Sequence, residues 1–193
     1  MQQLLNGSKR LEGFSGIWKF KKLGNLATNI NSGGTPKTSI ESYFGGDIPW
    51  VSISDMTKSG KVILDTERNL TTLGFSNCSA KLFKPGTVLY AMYASLGECN
   101  IAGVELCTSQ AILGITCGPN LNNEFLYHYL NYKKSYIKSL GQQGTQSNLN
   151  KSMVANIELY LPPTIQEQIE ITKILNDIDN DLNKLISKRE KIL

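Results

Sequence analysis

Side chains that both donate and accept hydrogen bonds gather in three loops of this 193-residue chain. They are "NSGGTPKTS" at residues 31–39, "YASLGE" at 93–98 and "GQQGTQSNLNKS" at 141–152. Asn, Gln, Ser and Thr read base edges in a DNA groove, while Lys and Arg hold phosphates. The candidate DNA-contacting residues are therefore Ser32, Gly33, Thr35, Lys37, Tyr93, Ser95, Gly144, Thr145, Gln146, Ser147, Asn148 and Lys151. Base contacts are expected in 144–148 and around 32–37, with Tyr93 and Ser95 nearby. Lys37 and Lys151 would position the backbone. A hydrogen-bonded turn is the plain alternative for any one loop; three such loops together favour a ligand.

Residues suited to catalysis are sparse. The single histidine, His128, falls in a helical stretch with no nucleophile motif beside it, and reads as a surface or hydrogen-bonded structural residue. Leu161-Pro162-Pro163-Thr164 lacks the polar and aromatic partners that an amino-methyltransferase turn places around its two prolines. Tyr43-Phe44-Gly45-Gly46 lacks the preceding strand and the order of a dinucleotide fingerprint, and reads as a turn. Cys78, Cys99, Cys107 and Cys117 form no C-x-x-C pair, so no metal site and no disulfide framework is expected. The chain reads as non-catalytic.

The formal net charge is +4. The segment 164–193 carries six acids and five bases, which leaves the excess of positive charge on the residues before it. Two stretches, 68–97 and 125–157, contain no acid at all, and the second holds Lys133, Lys134, Lys138 and Lys151. A mildly basic, polar surface suits a partner with a phosphate backbone. No apolar run approaches the ~18 residues of a membrane span. The first ten residues lack the apolar core of a secretory signal, so a cytoplasmic protein is expected.

The elements that must position these loops divide the chain in three. Residues 1–17 read as a helix end (Leu4, Leu5) stopped at Asn6-Gly7, followed by a basic, glycine-punctuated connector. Residues 18–161 read as a β-rich domain. Strands are expected at "DIPWVSISDM", "KVILD" and "TVLYAMYAS", the last after the turn Lys84-Pro85-Gly86, and as a pair within "NIAGVELCTSQAILGITC". One amphipathic helix is expected over 122–140, with Phe125, Leu126, Tyr129, Leu130, Tyr136, Ile137 and Leu140 on its inner face. Residues 162–193 read as a long helix entered through Pro162-Pro163, with Thr164 and Glu167 at capping-box spacing. Ile171, Leu175, Ile178, Leu182, Leu185 and Ile192 then follow a heptad seam. Thirty residues at ~1.5 Å each give a rod of roughly 45 Å. No glycine or proline ends it, and a partner helix is expected along it. The fold class is α+β.

These segments also match a family pattern. "LYLPPTIQEQIEITKILNDID" closely resembles a signature of the specificity (S) subunits of type I restriction–modification systems, at Leu161, Pro162, Pro163, Glu167, Gln168, Ile171, Leu175 and Asp179. "SGGTPKTSIESYFGGDIPWVSISDM" looks like the opening of that family's target-recognition domain. "KPGTVLYAMYASLGE", "CTSQAIL" and "GTQSNLNKSMVANIELYLPP" look like its later strands and closing loop, and the first 18 residues are similar to the tail of its central helix. Ile165 stands where leucine is frequent, a conservative change.

The resemblance implies one recognition domain reading half of a bipartite, asymmetric site on double-stranded DNA. It also implies a helix pairing antiparallel with another to fix the half-site spacing. The chain would be the second half of an S subunit, or a half-subunit that dimerises. Its protein partners would be modification subunits, with the restriction subunit left open, and a second copy or the other half of the S subunit. No membrane partner is implied. S-adenosylmethionine, ATP and Mg would bind only to partner subunits. The lysines and the basic connector would hold phosphates. The rival reading is a protein–protein adaptor built on the coiled-coil helix, with a methyltransferase fragment a distant third.

Overall fold

The computed structural model describes residues 2–141 and 148–190. The chain opens with a one-turn helix, α1 (Gln2–Leu5), whose Leu4 and Leu5 are buried. Gly7 follows at φ +72°, where a Cβ would sit 3.2 Å from the Trp18 ring. After a connector come β1 (Lys19–Lys22), α2 (Leu23–Leu26) and β2 (Ala27–Ser32). A 3-10 turn at Glu41–Tyr43 leads into β3 (Phe44–Val51).

The strand expected to run through "DIPWVSISDM" stops at Val51, and α3 (Ile53–Lys58) takes over. The reason is local. Ser52 Oγ accepts from the Asp55 amide at 3.3 Å while Asp55 Oδ2 accepts from the Ser52 amide at 2.7 Å, a complete capping box. Two-residue strands β4 (Val62–Ile63) and β5 (Asn69–Leu70) follow, then α4 (Thr72–Ser76), capped by Thr71. The Lys84-Pro85-Gly86 turn forms as expected, with Gly86 at φ +87° and the Thr87 amide donating to Lys84 O at 3.1 Å. It feeds β6 (Val88–Ala91).

The expected strand pair is three strands in two sheets: β7 (Cys99–Ala102), β8 (Cys107–Thr108) and β9 (Ile112–Cys117). Next come α5 (Asn123–Gly141), α6 (Lys151–Ala155), β10 (Glu158–Leu161) and α7 (Ile165–Glu190). The end of the expected 141–152 loop is therefore helical, because Asn150 Oδ1 accepts from the Met153 amide at 2.9 Å and starts α6.

A five-stranded sheet in the order β2-β9-β6-β7-β4 carries the domain. Smaller sheets, β5-β3-β8 and β1-β10, flank it. Both faces of the large sheet are covered. Val88, Tyr90, Ile101, Leu113 and Ile115 pack with Phe125, Leu126, Tyr129, Leu130 and Ile137 of α5. Leu89, Ala91, Ala102 and Ile112 pack on the other face with Val51, Met56, Ile63, Phe83 and Leu106. Double burial makes β6 a continuous apolar run instead of an alternating one. Tyr136, expected on the inner face of α5, is 61% exposed.

Glu167 departs from its expected part in the helix cap. Thr164 Oγ1 does accept from the Glu167 amide, at 3.3 Å. The carboxylate itself turns away and is fully buried, taking Arg10 Nε at 2.6 Å, Arg10 Nη2 at 2.9 Å and Trp18 Nε1 at 3.3 Å. Arg10 Nη1 also donates to Gly16 O at 2.7 Å, which folds the connector onto the start of α7. Arg10, expected among the phosphate-holding cations of the connector, is thus engaged inside the fold. Beside it, Gln168 Oε1 accepts from the Asn122 amide at 2.9 Å and its Nε2 donates to Asn120 O at 3.1 Å, fixing the entry to α5.

A buried charge that loses its partner costs about 3–5 kcal/mol. Arg10→Ala should lower unfolding free energy by about 3 kcal/mol in urea denaturation. The same change made on a Glu167→Gln background should cost clearly less, since no buried charge then remains. Equal losses in both backgrounds would show that the ion pair does not anchor the connector.

Candidate nucleic-acid interface

Four segments meet at the β2, β9 and β6 side of the large sheet. Ser32, the last residue of β2, pairs with Leu113 on β9, and the Gly33 amide donates to Ile112 O at 3.2 Å. The chain then turns: the Gly34 amide donates to Thr108 O at 2.9 Å, and Gly34 O accepts from Trp50 Nε1 at 3.0 Å. Thr35 Oγ1 donates to Gln110 Oε1, joining this loop to the β8–β9 turn. Past β6, the Met92 amide donates to Ala111 O at 2.8 Å, and Met92 O accepts from the Leu149 amide at 3.0 Å. Lys151 Nζ lies 3.5 Å from Asn31 Oδ1 and closes the ring.

The expected residues fall unevenly on this rim. Ser32, Lys37, Asn148 and Lys151 are exposed, and Thr35 and Ser95 are partly so. Tyr93 is half-buried, its ring packed against the main core. Gly33 is buried, and a Cβ there would lie 2.0 Å from Thr108 O. The absence of a side chain is what lets the two backbones pack this closely. Gly144, Thr145, Gln146 and Ser147 lie outside the described residues.

Three polar residues of the rim were not among the expected contacts. Asn29 and Asn31 point outward on edge strand β2 around the inward Ile30, with Asn31 Nδ2 donating to Asn29 Oδ1 at 2.8 Å. Gln110 is exposed in the β8–β9 turn. The period-2 pattern Asn29-Ile30-Asn31 and the polar "TSQ" between apolar runs were the available signals. Ala94 is the one non-glycine residue with positive φ (59°) among the described residues, a backbone state that favours functional loops.

The electrostatics are one-sided. Segments 13–40, 68–97, 106–123 and 125–157 hold no Asp or Glu, and the rim draws on all four. Burial pushes the Cys107 and Cys117 thiols up to about 12, and that of Cys99 higher still, so these sulfurs stay protonated and unreactive.

The long helix divides into two parts. Ile171 and Leu175, expected on a partner-facing seam, are buried in the chain's own core. The domain and α5 take them because helix docking and helix pairing demand the same spacing of apolar residues. Ile178 is half-buried, and every described side chain from Asp181 to Arg189 is exposed. Leu182 (48%), Leu185 (62%) and Ile186 (55%) form an uncovered apolar stripe. Ile192 lies outside the described residues.

His128 is buried in a polar cluster at the foot of that helix. Asn176 Oδ1 faces Lys61 Nζ at 2.7 Å and His128 Nε2 at 2.8 Å, and Asn176 Nδ2 donates to Glu124 Oε2 at 2.5 Å. Lysine only donates and carboxylate only accepts, so the amide orientation is fixed and His128 Nε2 carries a proton. Burial depresses the His128 pKa, partly offset by the bond to Asn176. Burial opposes ionisation of Glu124 too, but bonds from Asn176 and Lys61 outweigh it and hold its pKa below the ordinary value.

The fold is shared with solved S subunits of restriction–modification systems. The HsdS subunit of Thermoanaerobacter tengcongensis superposes with a TM-score of 0.71 at 20% identity, over 97% of this chain and 44% of that one. The S subunit of M. genitalium gives 0.71 at 15% identity, over 98% and 48%. The family described as "Type I restriction modification DNA specificity domain" matches residues 16–192. The MjaIX specificity subunit of Methanocaldococcus jannaschii is 31% identical over 179 residues, covering 91% of this chain and 41% of that protein. The HindI specificity subunit of Haemophilus influenzae is 28% identical over 175 residues, covering 89% and 38%. The chain belongs to the type I restriction–modification DNA specificity family. It spans about two-fifths of the length of these two relatives.

The packing at Gly33 gives a direct check on the rim's scaffold. Gly33→Ala should cost about 1–3 kcal/mol through overpacking against Thr108, read as a lowered thermal midpoint. A variant as stable as the parent would place the loop elsewhere.

Proposed function

We propose that this chain is a DNA-reading module, non-catalytic itself, that gives a type I restriction–modification complex one half of its bipartite site. The observation that carries the reading is the convergence of four acid-free segments on one polar rim edged by Lys37 and Lys151. Donor–acceptor side chains there, Asn29, Asn31, Thr35, Gln110 and Asn148, have the chemistry of base-edge readout in the major groove. Residues 144–148 and Ser95 complete the proposed reading surface. Family membership supports the same reading, because relatives are named specificity subunits of type I restriction enzymes.

Leu182, Leu185 and Ile186 would pair antiparallel with a helix from a second copy or from the rest of the S subunit, setting half-site spacing. The surface of the pair would dock modification subunits, and S-adenosylmethionine, ATP and Mg would sit only on partner subunits. No described helix is long and apolar enough to cross a membrane. The proposed place of work is the cytoplasm, with the DNA.

Mapping methylated sites when the chain is expressed with its modification subunits tests the reading. Alanines at 144–148 should abolish sequence discrimination; unchanged methylation of the native site would sink that assignment. Lys37→Ala with Lys151→Ala should instead weaken binding to all sequences alike. The slope of log K on log salt should become shallower by about 0.9 for each phosphate no longer neutralised. Leu182→Glu should abolish helix pairing in sedimentation while leaving the domain folded, and an intact pair would count against the stripe.

A further inference from the structure

We propose that Asn176, with Lys61, Glu124 and His128, is an angular lock that positions the recognition domain on its helix and so limits which half-site spacings are accepted. The inference rests on the DNA-reading function proposed above and deepens it by assigning spacing fidelity to residues outside both the polar rim and the exposed apolar stripe.

The lock sits where α7 leaves the body. Before it, Glu167, Gln168, Ile171, Thr172 and Leu175 are buried; after it, from Asp181 onward, the described helix is exposed. Asn176 is the last α7 residue with hydrogen bonds to the domain among the described residues. Its bonds reach two separate elements. Lys61 precedes β4, and its carbonyl accepts from the Ile101 amide of β7 at 2.8 Å. Glu124 and His128 stand one turn apart on α5. Lys61 also pairs with Glu124 at 3.1 Å, so the three bonds to Asn176 form one closed network. Asp179, one turn further along α7, faces His128 Nδ1 at 3.8 Å.

Apolar packing at Ile171 and Leu175 is non-directional and would tolerate a tilt of the helix. Hydrogen bonds from Asn176 to three fixed groups would not. From Asn176 to Glu190 the rod extends about 20 Å at ~1.5 Å per residue. A tilt of about 10° displaces its far end by about 3.5 Å, close to the ~3.4 Å rise of one base pair. Where that displacement falls along the DNA axis, a small angular error at the joint becomes a one-base-pair error in spacing.

The experiment profiles methylation by the complete specificity protein assembled with its modification subunits. The DNA library keeps both half-sites fixed and varies the spacer by one base pair either way, and a second library randomises the half-sites. Asn176→Ala should raise methylation at off-length spacers relative to the native spacer by about tenfold, the scale of one hydrogen bond removed from a coupled network. Half-site base preference should stay unchanged. Lys61→Met should behave in the same way, and Lys61→Arg, which keeps a cation over the amide, should restore native spacing. Native spacing fidelity in Asn176→Ala and Lys61→Met overturns the lock while leaving the DNA reading intact. Joint loss of base preference and spacing fidelity overturns it too, as a general folding effect. A parent protein that methylates without sequence preference removes both.

Discussion

A carboxylate fully removed from water, Glu167, is the point on which the arrangement of segments depends. An isolated buried charge is too costly to keep, so the fold must bring donors to it. It brings the Arg10 guanidinium and the Trp18 indole from the N-terminal connector, while Thr164 holds the Glu167 amide. Trp18 in turn packs edge-on against Phe125 of α5 and beside Tyr160 of β10. The connector, the start of the long helix, the central helix and the closing strand are thereby tied at one place. Gln168 extends the joint by satisfying the backbone that opens α5.

The polar cluster at Asn176 and the polar rim are carried by one sheet. The rim gathers around β2, β9 and β6, and the lysine that holds Asn176 precedes β4, at the other edge. Between them the sheet is packed on both faces, with α5 lying across the main core. Interiors packed at crystal-like density transmit displacement instead of absorbing it. Loop positions at one edge and helix direction at the other are therefore set together, as the proposed DNA-reading module on a spacer would require.

Much of this was legible in the residues. The two long helices, the Thr164 cap, the stop at Gly7 and the Lys84-Pro85-Gly86 turn rest on local rules, and local rules can be read locally. Strands β5 and β8 are two residues long each and owe their pairing to distant partners, β8 lying parallel to β3. Nothing in their own sequence distinguishes them from loops. The Ser52–Asp55 box was readable but lay inside an alternation that also fits a strand. At the rim, exposed Lys37, Asn148 and Lys151 follow from composition. Gly33 has the composition of a loop but the packing of a core, set by the far-off Thr108. Glu167 has cap spacing, and only its tertiary partners reveal that its side chain serves elsewhere.

The heptad residues raise the subtlest ambiguity, because one apolar stripe changes its role along its length. Ile171 and Leu175 bury against the chain's own domain, Ile178 is half-covered, and Leu182, Leu185 and Ile186 stand in solvent. Periodicity alone cannot mark where internal packing ends, since a domain surface and a partner helix impose the same spacing. The polar cluster at Asn176 marks it instead: asparagine, lysine, glutamate and histidine interrupt the apolar packing at the turn where the helix departs. Under the proposed pairing, a partner helix would begin its packing just beyond that cluster. The end of the domain would then define the register of the pair, so the direction of the rod and the phase of its partner would be fixed by the same few residues.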